Sequence, residues 1–104
     1  MNIIQNRDTN EPPDELDGAA VIMWAFNPQK PFFIMTTSDG TPCKSIHGFA
    51  ICQYKGKKGY YKFSCDIGWN VENDKDCDSI DEAINSANDI SLESINWNQK
   101  VISN

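Results

Sequence analysis

One stretch of the sequence holds most of the side chains that could do chemistry. Between Asp66 and Glu93 there are nine carboxylates and one basic residue, Lys75. The nine are Asp66, Glu72, Asp74, Asp76, Asp78, Asp81, Glu82, Asp89 and Glu93. Negative charges at this density repel nucleic acid, whereas they attract and orient basic proteins through long-range electrostatic steering. The stretch therefore indicates a surface that binds a basic protein.

The alternating positions of Asp74, Asp76 and Asp78 are also those of the first ligands in an EF-hand calcium loop. Such a loop needs glycine at its sixth position and a bidentate carboxylate at its twelfth, where this chain has Ser79 and Asn85. We therefore interpret the three aspartates as a solvated acidic loop before a helix, whose positive N-terminal end favours carboxylates. No metal or other cofactor is expected.

The four cysteines, Cys43, Cys52, Cys65 and Cys77, allow a second kind of chemistry. They include no Cys-x-x-Cys pair, and only His47 is available to assist, so a zinc site is not predicted. Disulfides would need a secretory context that the N-terminus does not indicate, so free thiols are expected. Cys43 and His47 lack the local signature of a cysteine hydrolase, and an enzyme that uses Cys43 or Cys52 is kept as an alternative.

A basic and aromatic cluster surrounds the glycine-rich segment 55–59. It comprises Tyr54, Lys55, Lys57, Lys58, Tyr60, Tyr61 and Lys62. Such a cluster can stack bases or hold an acidic ligand, but lysines at a hairpin tip also keep the end of a sheet soluble. With a net charge of −6 we favour the second interpretation. A small ligand-binding or adaptor module that uses Tyr54, Tyr60 and Lys62 is kept as an alternative function.

The three tryptophans differ in their sequence surroundings. Trp24 and Trp97 lie in strand-like patterns and are expected in the core. Trp69 follows Gly68 at the entrance to the acidic stretch, where it fits either a lid on the core or an exposed anchor for a partner.

Length and composition limit the architecture and the location. A chain of 104 residues with 39% hydrophobic residues is expected to form one domain, with residues 1–18 as an N-terminal arm or edge strand. The sequence pI near 4.5 argues against binding to nucleic acid or to an anionic membrane. The N-terminus has no leader pattern and no run is apolar enough to span a membrane, so a cytoplasmic location is expected.

The first half of the chain has the pattern of β-strands. The apolar runs Ala19–Phe26 and Phe32–Thr37 flank a turn with two prolines and predict a β-hairpin, and a further turn is indicated at residues 38–42. The segments 46–54 and 60–67 predict a second hairpin with Tyr54 opposite Tyr60. In that register Phe49, Ile51, Phe63 and Cys65 share a core face. The opposite face, with Ala50, Cys52, Lys62 and Ser64, would then be half-polar and partly wet.

The second half of the chain contains the clearest local signal. Residues 70–78 are polar and predict a loop, and Ser79-Ile80-Asp81-Glu82 then forms a capping box at the start of a helix over about residues 80–88. Alternation from Ile95 to Val101 predicts a last strand. The order of elements predicts an α+β fold, with a mainly antiparallel sheet of five or six strands and one helix packed on one face.

In its size, acidity and general texture from Ser79 to Trp97, the chain resembles the small acidic immunity proteins of bacterial toxin systems, especially those of contact-dependent growth inhibition. The resemblance implies a cytoplasmic protein that binds a basic toxin domain, a nuclease and in particular a ribonuclease, and that has no catalytic activity itself. The expected partner-binding residues are Trp69, Glu72, Asp74, Asp76 and Asp78. The N-terminal acids Asp14, Glu15 and Asp17 are the alternative surface.

Overall fold

The computed structural model describes residues 10–101 of the chain. Its elements in chain order are β1 (Glu15–Leu16), β2 (Ala19–Phe26), β3 (Phe33–Thr36), β4 (Pro42–Ile46), β5 (Gly48–Gln53), β6 (Tyr60–Cys65), β7 (Val71–Cys77), α1 (Ile80–Ile90) and β8 (Asn98–Gln99). The fold is α+β, as predicted. Six strands form one antiparallel sheet, the other two form a small hairpin, and α1 is the one helix of the described residues.

The main sheet has the strand order β1-β2-β5-β6-β7, and β8 pairs with β2. Two short strands therefore share the outer edge of β2: Glu15 of β1 lies opposite Ala20, and Gln99 of β8 lies opposite Met23. The acidic strand β7 forms the other end of the sheet. Residues 1–9 of the expected N-terminal arm lie outside the described residues, and the rest of that segment includes β1.

The predicted pairing of the first two apolar runs is wrong. β2 pairs with β5, where Ala25 lies opposite Phe49, and β3 pairs instead with β4 across the turn expected at residues 38–42. The chain leaves the sheet after β2 because Asn27 forms a turn, its side-chain oxygen accepting hydrogen bonds from the backbone amides of Gln29 and Lys30.

The predicted hairpin of β5 and β6 exists, but its register differs by one residue. Phe63 lies opposite Ala50, and Lys62 lies opposite Ile51. The connection occupies residues 54–59, with the Lys57 amide donating to the Tyr54 carbonyl and Gly56 at a φ of 79°. Because side chains alternate between faces, a shift of one residue exchanges the faces of one strand relative to the other.

The expectation of a partly wet sheet face is also wrong, because both faces of the central strands are covered. On one face Phe49 packs with Phe32, Ile46 and Ala87 beneath α1 and the β3–β4 hairpin. On the other face a second cluster is formed by Leu16, Ala19, Val21, Trp24, Ala50, Cys52, Phe63 and Cys65. The central strands therefore lie between two apolar layers, with β7 beside them at the end of the sheet.

The capping box predicted the helix correctly. The Ser79 side-chain oxygen accepts a hydrogen bond from the Glu82 amide at 3.0 Å, and the Glu82 carboxylate accepts one from the Asp78 amide at 3.1 Å. Ala83 and Ala87, one turn apart, are the buried positions of α1 against the sheet. The helix follows β7 directly, so its capping residues fix the end of the acidic strand.

Lys62 is a buried cation within the helix-side layer. Lys62 is only 5% exposed. Its ammonium donates to the Ser86 hydroxyl at 3.0 Å and lies 5.9 Å from the centre of the Phe49 ring. Burial lowers the pKa of Lys62 below its ordinary value, since a charge is less stable away from water. Among the described residues no carboxylate forms an ion pair with it.

We expect Lys62→Met to raise the free energy of unfolding by about 1 kcal/mol at pH 7, because methionine fills a similar space without the desolvation penalty. The unfolded chain binds the Lys62 proton more tightly, so wild-type stability rises with pH above the folded-state pKa and the advantage of Lys62→Met shrinks towards about pH 10. Urea unfolding at several pH values measures both effects.

The matched control is Lys75→Met, because Lys75 lies opposite Lys62 in the sheet but is exposed. We expect this substitution to change the free energy of unfolding by less than about 0.5 kcal/mol. If Lys62→Met lowers the stability instead, the contacts of the ammonium with Ser86 and Phe49 outweigh its desolvation.

Candidate partner-binding surface

The acidic stretch is a strand where the sequence predicts a loop. Val71–Cys77 forms β7, in which Asp74 lies opposite Phe63 and Asp76 lies opposite Tyr61 of β6. Aspartate and asparagine disfavour strands, but pairing along β6 overrides that propensity. Charged residues are also usual on an edge strand, where they discourage aggregation. Because alternate residues of a strand point to the same face, Asp74 and Asp76 share one face of β7.

The turn before β7 is organised by Asp66. Its side chain accepts hydrogen bonds from the amide of Gly68 at 2.9 Å, from the amide of Asn70 at 2.8 Å and from the Asn70 side chain at 3.0 Å. Partial burial raises the pKa of the Asp66 carboxyl, but the hydrogen bonds from Asn70 and Gly68 outweigh that effect and hold the pKa below its ordinary value. The turn places Trp69 in the left-handed region, with a φ of 64°.

The ring of Trp69 is a lid on the core. It stacks on Phe26 with 5.3 Å between ring centres and meets Trp24 edge-on at 6.3 Å, and its indole N–H donates to the Asn10 carbonyl at 3.0 Å. Gly48 lies beneath the ring, where an added Cβ would come within 2.8 Å of it. The ring is half-buried and engaged on several sides, which favours the lid interpretation over the exposed anchor. A role for Trp69 in partner binding stays a prediction.

The four predicted carboxylates fall into two groups. Glu72 is compensated, because it forms an ion pair with Lys44 at 3.7 Å and only 18% of its side chain is exposed. Asp74, Asp76 and Asp78 are exposed, and within residues 10–101 none of them forms an ion pair. The fold therefore leaves three carboxylates of the acidic strand and its end without a compensating charge.

The structure also brings one acid of the alternative N-terminal surface, Asp17, to the acidic strand. Asp17 and Gly18 form the tight turn between β1 and β2, with φ values of 50° and 84°. The Tyr54 hydroxyl holds this turn by donating to the Asp17 carbonyl at 3.2 Å. Asp17 then lines one shallow cleft of about 290 Å³ with Glu72 and Asp74. The acidic surface consequently extends from β7 to the β1–β2 turn.

The other N-terminal acids have structural partners or lie apart. Lys100, whose side chain is 4% exposed, contacts Asp14 at 2.6 Å and Glu11 at 3.5 Å. The hydrogen bond that Lys100 donates to the Asp14 carboxylate raises the pKa of the Lys100 ammonium. Glu15 lies at a separate cleft with Tyr54 and Lys55. Of the three N-terminal acids considered as the alternative surface, Asp17 is thus the one that joins β7.

A second cleft, of about 370 Å³, adjoins the far end of β7. It is lined by Tyr54, Lys57, Lys58, Gly59, Tyr60, Tyr61, Asp76, Cys77 and Asp78. Asp76 lies opposite Tyr61 in the sheet, and its negative charge raises the pKa of the Tyr61 phenol. Lys62, which the sequence placed with Tyr54 and Tyr60, is excluded from this cleft because the register shift turns it towards α1.

Three of the four thiols are buried, those of Cys52, Cys65 and Cys77. Burial raises the pKa of Cys52 to about 12 and also raises the pKa values of Cys65 and Cys77. Cys43 is exposed and its thiol contacts the Met35 carbonyl at 3.4 Å, whereas His47 bonds the Asn27 carbonyl through Nδ1 at 2.7 Å. Four residues of extended chain separate Cys43 from His47 by about 13 Å. Within residues 10–101 no group of His, Cys, Asp and Glu side chains is placed to hold a metal ion.

We expect one thiol to react with iodoacetamide in the native protein at about pH 8, and four in urea, because a thiolate must be exposed to react. Mass spectrometry counts the modified cysteines. Cys43→Ser should abolish the native reaction and leave the denatured count at three. A buried cysteine that reacts rapidly below about pH 7 would instead support an enzyme that uses its thiolate.

Comparison with protein-family models, with curated proteins and with solved structures found no match to this chain. None of the helical structure within residues 10–101 is long and apolar enough to cross a membrane. The function has to be argued from the acidic surface itself.

Proposed function

We propose that this protein is an immunity protein that neutralises a nuclease toxin, in particular a ribonuclease, by covering its basic active-site cleft. The observation that carries the proposal is a set of exposed carboxylates at one end of the sheet, Asp74, Asp76 and Asp78, which have no ion-pair partner within residues 10–101. A nuclease cleft must be basic to hold phosphates. The same cleft therefore attracts a surface on which carboxylates take the place of phosphates.

The geometry of a strand suits this mimicry. Side chains two residues apart on β7 are separated by about 6.8 Å, which is comparable to the spacing of successive phosphates along an extended nucleic-acid strand. Carboxylates accept charge-assisted and bidentate hydrogen bonds from arginine, as phosphates do. Asp17 adds a fourth carboxylate beside Asp74 across the shallow cleft. A partner that approaches β7 meets acids on a scaffold that is already ordered, so little conformational entropy is lost on binding.

The proposal is tested by pull-down of the tagged protein from lysate of its native host at about 50 mM and about 500 mM salt. An electrostatically steered complex should form at low salt and weaken at high salt. We expect recovery of one small basic protein whose nuclease activity disappears when the purified inhibitor is added. The proposal would be contradicted if none of the recovered proteins were a nuclease that this protein inhibits.

A matched pair of bait proteins distinguishes the cognate partner from the abundant basic proteins that any acidic surface attracts. The first bait carries Asp74→Lys and Asp76→Lys. The second carries Asp89→Lys and Glu93→Lys, which make the same change in net charge at and beyond the C-terminal end of α1. The cognate partner should be lost from the first bait and kept by the second. A protein lost equally from both baits responds only to net charge.

The cleft with three tyrosines at residues 54–61 favours a second candidate function, a small ligand-binding module. Its lining combines Lys57 and Lys58 with Asp76 and Asp78, so that it offers both signs of charge beside aromatic rings. Native mass spectrometry of protein purified from its host tests this function. A bound metabolite, together with the absence of a protein partner in the pull-down, would replace the inhibitor proposal with the module.

A further inference from the structure

The two sides of the main sheet differ in whether the edge of the long strand there is covered by other segments. The outer edge of β2 is covered along its length: β1 and β8 pair with it, the Val21 amide donates to the Asp14 carbonyl, and the Lys100 amide donates to the Ile22 carbonyl. This edge has no room for another strand. The opposite edge belongs to β7, which pairs with β6 and with no other strand of residues 10–101.

The outer edge of β7 keeps its hydrogen-bonding capacity. Among the described residues, no hydrogen bond between backbone groups outside the β6–β7 ladder involves residues 71–77, and the Cys77 thiol donates to the Lys75 carbonyl at 3.7 Å. Every second residue of an edge strand directs its N–H and C=O groups away from the sheet, where they can template another strand. β7 is seven residues long, which is enough to pair with a full strand of average length.

The charges of β7 determine which strand can add. Asp74 and Asp76 share one face, and the exposed Lys75 lies on the other. A second copy of this chain that paired antiparallel through β7, with its aspartate face on the same side of the sheet, would place Asp74 opposite Asp74 or Asp76. Like charges directly opposite one another destabilise a sheet. A strand with Lys or Arg at every second position instead places opposite charges side by side on the aspartate face.

We propose that β7 binds its partner by β-augmentation, accepting an extended segment of the basic protein as an additional strand of the sheet. Backbone hydrogen bonds supply the pairing, and alternate basic side chains opposite Asp74 and Asp76 supply the selectivity. Residues of the added strand on the other face lie beside Lys75 and are neutral or acidic. The inference rests on the proposed function, because it specifies how the inhibitor engages the same partner.

The test uses a nine-residue peptide with blocked termini in which lysine and threonine alternate. NMR titration of the full chain should shift the signals of β7, and the β7 amides that are not paired with β6 should become protected from exchange. A control peptide of the same sequence with methylated backbone nitrogens keeps the charges but cannot pair with a strand edge. We expect it to bind at least tenfold more weakly, a conservative ratio for the loss of several hydrogen bonds.

A second control peptide has the same composition but with its lysines in one block, and it should also bind more weakly because only alternate residues reach the aspartate face. Equal binding of the methylated peptide, absence of new amide protection in β7, or no binding at millimolar concentration would each overturn strand addition. The pull-down decides the inhibitor function separately, since a nuclease that is silenced without protection of β7 leaves that function standing.

Discussion

Replacing Trp69 by alanine is expected to lower the free energy of unfolding by about 3–4 kcal/mol, the usual loss for a large aromatic ring packed on a core. The ring contacts Phe26 and Trp24, lies against Gly48 and bonds the Asn10 carbonyl, so its removal exposes one end of the cluster that covers this face of the sheet. Urea denaturation followed by circular dichroism measures the change.

Two further substitutions separate the contribution of the Trp69 ring to stability from those of its hydrogen bond and its backbone conformation. Trp69→Phe keeps an aromatic ring but removes the hydrogen bond to Asn10, and we expect it to be destabilising by about 1 kcal/mol. Trp69→Gly loses the ring but suits the φ of 64°, so it should be no less stable than Trp69→Ala, the reverse of the usual order. If Trp69→Ala kept full stability and only weakened partner binding, the ring would be an exposed anchor and not a lid.

The elements that the sequence predicts correctly are indicated by residues that lie close together in the chain. The helix could be predicted because Ser79 and Glu82 form a capping box and because apolar residues follow at helical spacing. The turn of the β3–β4 hairpin was readable because Asp39, Gly40 and Pro42 punctuate it. Each of these features depends on residues within a few positions of one another, so no knowledge of the tertiary structure was needed.

The features that the sequence did not predict depend on contacts between distant residues. Whether β2 pairs with β3 or with β5 is decided by which arrangement buries both faces of the sheet, and the composition of one strand does not reveal it. The β5–β6 register depends on one additional residue in the connection. The turn at Asp17 and Gly18 was a missed local signal, since Asp-Gly is a strong indicator of a two-residue hairpin.

The candidate surface could be predicted in its residues but not in its geometry. The polar character of residues 70–78 predicts a loop, although the period of two in Asp74, Asp76 and Asp78 is also the period of the strand that the structure has there. The pairing of Glu72 with Lys44 and the position of Asp17 and Asp74 at one cleft both depend on the tertiary fold. Neither feature has a signal in the sequence.

Reversing the charges of Asp74 and Asp76 together is expected to weaken binding of the nuclease partner by at least 100-fold at about 0.15 M salt, with at least a tenfold decrease in the association rate constant. The two side chains are exposed, share one face of β7 and have no ion-pair partner among the described residues, so the attraction they provide is lost and becomes repulsion. The stability of the inhibitor should change by less than about 0.5 kcal/mol. Surface plasmon resonance with the immobilised partner measures both rate constants.

The protein with Asp89→Lys and Glu93→Lys is the control that shows whether the loss of binding is specific to β7, because both double substitutions change the net charge by the same amount. Long-range steering by net charge alone would slow association equally for the two proteins, whereas direct contacts at β7 would also accelerate dissociation for the first. Adding Asp17→Lys to the first pair should weaken binding further, since Asp17 lines the same cleft as Asp74. Unchanged affinity of Asp74→Lys with Asp76→Lys, together with a loss for Asp17→Lys alone, would move the interface from β7 to the β1–β2 turn.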